Sequence, residues 1–408
     1  MRGILGTIIL ICGFIAVWSL EIEFEYDPFG EEPLPSAISK AVKEAFEMNE
    51  KGLEALNKKD YDIALAYFDQ ALSIIPDYSD AVNNRGVVYF RKGIVSDAQK
   101  IWEKLASKEP DYAIASYNLG LIQLHEKNLE ASKRLFERAL KADPKFVEAL
   151  VRLGMVNLKL EKNEDALENL KKAYKMAPKY KDAWGFYAHG LIVNGDTSRA
   201  IGILDKNNKD VDALKMLGQI EAARKNNQKA SEYFSSAVSR GADPSLLTEL
   251  ASVQLDDRKC KDALSTLKRY FSVKTKHVAD AYILAGVASK ECNDNASALH
   301  YFEEGLKNYP NDPILKYNLG QIYFHQKKFD QAETMWEGMA DSLQDPSFFH
   351  IRALNARRRN DLKGAEKLIL RAIEMDNRAE YHDFLGVIYH LQKDDKKAEA
   401  QFRKALKI

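Results

Sequence analysis

Eight histidines and three cysteines are the residues of this 408-residue chain best suited to chemistry, and their spacing builds no reaction centre. His382 and His390 lie eight apart, two turns along one face of a helix. Without a further acidic or histidine partner they do not make a metal site. No His-Glu-x-x-His run, glycine-rich phosphate loop or Gly-x-Ser-x-Gly turn occurs. Cys12, Cys260 and Cys292 form no Cys-x-x-Cys pair, which excludes a zinc ribbon or a thioredoxin-like motif. Arg357-Arg358-Arg359 is shorter than the runs of about five to eight that mark nucleic-acid patches, and reads as a helix end complementing its dipole. Asn295-Ala296-Ser297 fits a glycosylation acceptor, a triplet that also arises by chance. The expectation is a protein that is not an enzyme and has no cofactor, no metal and no nucleic-acid ligand.

What does recur is a packing pattern. Gly52, Gly86, Gly120 and Gly154 stand 34 residues apart. Twelve residues after each comes a small one: Ala64, Ala98, Ser132, Ala166. Four later comes a large apolar one: Phe68, Trp102, Phe136, Leu170. Eight later again comes a proline: Pro76, Pro110, Pro144, Pro178. Proline cannot continue a helix and stops it. The pattern runs on through Ala188, Gly218, Ala251, Gly286, Gly320, Ala353 and Gly386, giving eleven repeats. They begin near Ala45, Ser79, Ala113, Val147, Lys181, Val211, Pro244, Ala279, Pro313, Pro346 and Ala379.

This resembles the tetratricopeptide repeat (TPR), with its pattern W-x2-L-G-x2-Y, A-x3-F, P over 34 residues. The resemblance covers residues 45–408. It implies an all-α fold, a right-handed α-solenoid superhelix of about eleven helical hairpins, each made of helix A and helix B. One hairpin cannot bury its own apolar face, so neighbours must stack. Asp60 is expected to cap the first helix B, and Ser36 a helix running into repeat 1. Repeat 5, residues 181–210, is four residues short and has lost about one turn of helix B. That divides the array into residues 36–210 and 211–408. At the far end, Leu391, Phe402 and Leu406 offer an apolar surface for possible self-association through the C-terminal end.

The first twenty residues differ from the rest. After Arg2 the chain runs to Leu20 with no charge, and reads as a signal peptide or a transmembrane anchor contacting the membrane through residues 3–20. Residues 21–35 hold Glu21, Glu23, Glu25, Asp27, Glu31 and Glu32 among Pro28, Gly30, Pro33 and Pro35, an acidic linker. The positive-inside rule keeps Arg2 in the cytoplasm and sends the array across, into the periplasm in a bacterium. Overall, 60 basic and 60 acidic residues cancel, so nothing global attracts a polyanion.

The family implies a ligand groove lined by positions 2, 5, 6, 9, 12 and 13 of helix A. Those positions give Asn83, Asn84, Tyr117, Asn118, Leu121, Arg152, Met155, Phe186 and His189 in repeats 2–5. A second cluster is Tyr317, Asn318 and Gln321 in repeat 9, with His350 and Arg357 beyond it. Amides and rings suit a protein or peptide partner, and Asn118→Ala with Arg152→Ala should leave folding intact while weakening partner capture. The sub-class that grips acidic chaperone tails is matched only by Asn118 and Arg152, and Glu148 would repel an acid. A scaffold or adaptor at a membrane, in envelope assembly or secretion, is the favoured reading. A cytoplasm-facing regulator or co-chaperone and a glycan-binding protein are the alternatives. Cys260 and Cys292 lie near the A–B turns of adjacent repeats. Equivalent turns of stacked repeats are roughly 10 Å apart, too far for a bridge, so two free thiols are expected, with a disulfide as the lesser outcome.

Overall fold

The computed structural model describes residues 40–273, 276–339 and 345–408. The membrane segment, the acidic linker and the cap at Ser36 lie outside the described residues. Among those described, no helix is long and apolar enough to cross a membrane.

The described residues form twenty-two α-helices, which pair as eleven hairpins. Nine of the expected repeat starts are the first residue of a helix: Ser79, Ala113, Val147, Lys181, Val211, Ala279, Pro313, Pro346 and Ala379. Repeat 1 opens earlier, with the long helix Lys40–Asn57, where Val42 and Phe46 are half-buried and Phe46 meets the edge of Tyr78. Helix B of repeat 5, Thr197–Lys206, has ten residues against fourteen in Leu129–Ala142. Helix B of repeat 9, Phe329–Trp336, is shorter still at eight. The described residues up to Leu217 and those from Gly218 onward make two compact units. The boundary falls inside helix A of repeat 6, Val211–Ala223.

In most hairpins positions 8 and 24 are matched in volume, whereas in repeat 4 Gly154 faces the aliphatic Leu170, where an added Cβ would lie 2.5 Å away. An added Cβ on Gly120 would lie 2.6 Å from the ring of Phe136, and one on Gly286 only 2.3 Å from Phe302. Gly52 faces Phe68, Gly86 faces Trp102, and Gly320 faces Trp336 in the same way. Where position 8 is alanine, position 24 is aliphatic: Ala188 with Leu204, Ala251 with Leu267, Ala353 with Ile369, all fully buried. The extra methyl of the alanine is offset by the smaller partner, as close packing requires. Gly120→Leu is therefore expected to lower stability by about 1–3 kcal/mol through overpacking. Gly120→Ala combined with Phe136→Leu restores the alanine–aliphatic pairing and should melt close to the parent. Chemical denaturation of the set reads both, and an unchanged Gly120→Leu melt would contradict the register.

Every A–B turn uses one device that the sequence pattern does not display. Position 15 takes a left-handed backbone in all eleven repeats, from Lys59 at φ 66° and Gly93 at 80° to Lys393 at 64°. In repeat 3 the turn is a Schellman closure, with Lys127 N donating to Leu124 O and Asn128 N donating to Gln123 O at 2.8 Å. Only Gly93 and Gly195 are glycines at this position. At the other end of helix B, the stop prolines hold the residue before them extended, as Ile75 and Asp143 show.

Two expectations are corrected here. Asp60 stands at the N-cap position, but its side chain makes no capping hydrogen bond. That role falls to Asp196, Asp294, Asp361 and Asp394 in later repeats. Cys260 and Cys292 are not free thiols: they form a disulfide, with Cα atoms 5.7 Å apart. The spacing argument compared equivalent positions. Cys260 opens helix B of repeat 7, whereas Cys292 caps the C-terminus of helix A of repeat 8. The offset between these two positions, one on either side of a turn, brings the Cα atoms within the range a disulfide spans.

At the last repeat, Phe402 packs on Gly386, while Leu391 and Leu406 are exposed.

Candidate functional site

The groove positions of the first unit are filled by their own neighbours. Asn83, Asn84 and Asn118 are fully buried, and so is Asn49 one repeat earlier. Their amides interlock. Asn84 Nδ2 donates to Asn49 Oδ1 at 3.1 Å, Asn83 Nδ2 to Asn84 Oδ1 at 3.3 Å, and Asn118 Nδ2 to Asn83 Oδ1 at 2.9 Å. The Trp102 indole also donates to Asn83 Oδ1, at 3.0 Å. Buried amides require such partners, because an unpaired one costs about 1–3 kcal/mol. The expected open wall of asparagines is thus a polar seam inside repeats 1–3. Tyr117 and Leu121 are buried beside it, with the Tyr117 ring 4.8 Å from Phe146.

Farther along, Arg152 is buried and bridges to Asp182 of the next repeat at 3.2 Å. It also hydrogen-bonds the Tyr117 hydroxyl and rests on the Met155 sulfur. Burial alone would favour its neutral form, but Tyr117 and Asp182 outweigh that and hold it charged. Met155 and Phe186 are buried too. His189 is the partly accessible member of the set, and burial lowers its pKa, so it is neutral near pH 7. Asn118 and Arg152, expected to be replaceable without loss of folding, are instead buried and engaged with neighbouring repeats. Asn83, Asn84, Tyr117, Asn118, Leu121, Arg152, Met155 and Phe186 sit in the packing between successive helices A.

The second unit keeps its groove side chains accessible. Tyr317, Asn318 and Gln321 are all half-buried. Gln321 Nε2 donates to the Tyr317 hydroxyl at 2.7 Å, and its Oε1 accepts from Lys290 Nζ at 2.8 Å. Asn318 bonds back into its own helix, donating to Ile314 O at 2.8 Å. Lys290 stands at position 12 of repeat 8 and was missed by the sequence reading, although the same register names it. Burial lowers its pKa, and no carboxylate pairs with it among the described residues. In the next repeats His350 packs on Tyr381 and Phe384, and the Arg357 guanidinium lies 5.2 Å above the Phe384 ring. Burial lowers the His350 pKa, against the opposing pull of Glu380. These two clusters offer a donor-rich, aromatic surface with two cations, Lys290 and Arg357, that form no ion pair among the described residues. Among the described residues no group of three or more histidines, cysteines, aspartates or glutamates is placed to hold a metal.

Models of the tetratricopeptide repeat match residues 49–98, 95–145, 127–181, 292–354 and 352–408. The chain belongs to the tetratricopeptide repeat family. The matched residues leave 182–291 between them, yet Gly195, Lys225 and Arg258 make the same left-handed TPR turn there. Among solved structures, the chain is similar to PilW, described as a widely conserved type IV pilus biogenesis factor. The two are 21% identical over 50% of this chain and 96% of that one, with a TM-score of 0.45. It is also similar to the APC/C hetero-tetramer Cut9-Hcn1, at 13% identity, 91% and 94% coverage and a TM-score of 0.43. A tetratricopeptide repeat protein from Parabacteroides merdae ATCC 43184 matches at 17% identity, 69% and 99% coverage and a TM-score of 0.35.

Proposed function

We propose that this TPR protein is a non-enzymatic scaffold that holds a protein partner on the groove side of repeats 8–11. The observation that carries this is the Lys290–Gln321–Tyr317 chain beside the His350–Phe384–Arg357 cluster. A half-buried ammonium without a carboxylate is costly unless something supplies the missing charge. Aromatic and arginine side chains are also the commonest hot spots of protein interfaces.

The site of action is proposed as the extracytoplasmic side of a membrane, with residues 3–20 as anchor or export signal. The disulfide between Cys260 and Cys292 supports this, since such bonds persist in oxidising compartments and are rare in the cytosol. It weighs against the cytoplasm-facing reading.

The test is chemical crosslinking of the full-length protein in its own cells, followed by mass spectrometry. Lys290→Met with Gln321→Ala should reduce recovery of specific partners about tenfold, the weight of one or two hot spots. The melting temperature should stay unchanged, because both side chains are accessible. Equal recovery would move the partner elsewhere. Protease added to intact and to permeabilised cells reports the topology: digestion of the array only after cytoplasmic access is opened would reject export.

A further inference from the structure

A second surface lies at the A–B turns of repeats 9 and 10, largely beyond the groove positions. A notch of about 550 Å³ opens there between Lys327, Lys328, Phe329, Asp330 and Gln331 on one side and Arg358, Arg359 and Asp361 on the other. Four cations meet two acids, on a chain whose total charge is zero. Both acids are already engaged. Asp330 accepts from Arg359 at 2.8 Å, and Asp361 caps the next helix by accepting from Gly364 N. Lys328 lies 5.7 Å above the Tyr323 ring, which leaves its charge uncancelled. Lys327 and Arg358 are exposed and share no ion pair among the described residues. Phe329, packed on Phe324, gives the notch an apolar floor.

We infer that this notch docks an acidic, extended segment of a partner protein. Three uncancelled cations around an apolar floor call for carboxylates alternating with apolar side chains. An extended strand presents alternate residues about 7 Å apart on one side, so the carboxylates and the apolar side chain that enter the notch stand two residues apart, as in Glu-x-Phe-x-Glu. A continuous phosphate chain fits less well. Asp330 and Asp361 would repel it, four cations fall short of the usual nucleic-acid run, and a neutral chain provides no long-range attraction. The same charge reasoning sets aside an anionic lipid surface. Apart from Arg358, at position 13 of repeat 10, the notch lies off the groove positions of repeats 8–11, and Lys290 and Gln321 take no part in it, so the two can fail independently.

The probe is a fluorescent peptide of about a dozen residues in which glutamate and phenylalanine take turns at every second position, with serine between them, titrated with the full-length protein in detergent. Its binding should weaken at least tenfold in Lys327→Glu/Arg358→Glu, and should weaken as salt rises. Circular dichroism checks that the variant folds, and Lys327→Ala/Arg358→Ala, expected to weaken binding in the same direction, serves if it does not. Lys290→Met/Gln321→Ala should bind the probe as the parent does. Unchanged binding in both notch variants overturns the proposal. So does equal binding of a peptide with glutamine in place of glutamate. Tighter binding of a single-stranded oligonucleotide, or of vesicles rich in anionic phospholipid, at the same salt would also overturn it.

Discussion

Replacing Arg152 with methionine should destabilise the first unit by about 3–5 kcal/mol, the usual result of breaking a buried ion pair from one side. Asp182, whose side chain is 24% exposed, would keep its charge beside Tyr180 with no cation to answer it. Burial already pushes the Tyr180 hydroxyl pKa up, helped by the Asp182 charge. The double variant Arg152→Met/Asp182→Leu is expected to recover most of the loss, because a matched apolar pair is often as stable as the ion pair it replaces. Urea denaturation of the four proteins in the cycle measures the coupling. A single variant within about 1 kcal/mol of the parent would mean that water reaches the pair.

Reduction of the Cys260–Cys292 bridge is the second large effect. It closes a loop of sequence separation 32, for which chain entropy gives roughly 3–4 kcal/mol. Cys260→Ser/Cys292→Ser should therefore unfold its half of the array at markedly lower urea, and reductant should do the same to the parent while leaving the variant unmoved. The expected readout is local, since repeats contact only their neighbours and the chain need not melt in one step. Maleimide labelling without reductant should leave both cysteines unmodified. Rapid labelling of the folded protein would show open thiols and remove the support that the bridge gives to export.

The repeat frame was legible in the sequence because it rests on local volume. Gly120 admits Phe136 whatever the rest of the array does, and Pro144 ends its helix by its own covalent structure. The membrane-facing reading of residues 1–35 rests on composition alone and stays a proposal. The site was less legible. Family register says which side of helix A carries Asn83 and Asn118, but not how closely the next helix A approaches. That approach turned an expected wall into a buried seam, while position 9 of repeat 9 left Gln321 within reach of Lys290. The cysteines failed for a related reason. Comparing like positions across repeats hides the contacts that unlike positions make, and positions 17 and 14 of adjacent repeats bring their Cα atoms to 5.7 Å.

The left-handed corners have a bearing on how the protein is made. Nine of them are lysine, arginine, glutamate or asparagine, and each such residue gives up about 1 kcal/mol to hold that backbone. A single hairpin leaving the ribosome has little packing to offset this, so its corner should not hold until the following repeat has emerged to cover it. Folding during synthesis would then trail the growing chain by at least one repeat. The two glycine corners, Gly93 and Gly195, carry no such strain, and are the places where a hairpin can close early and seed the rest.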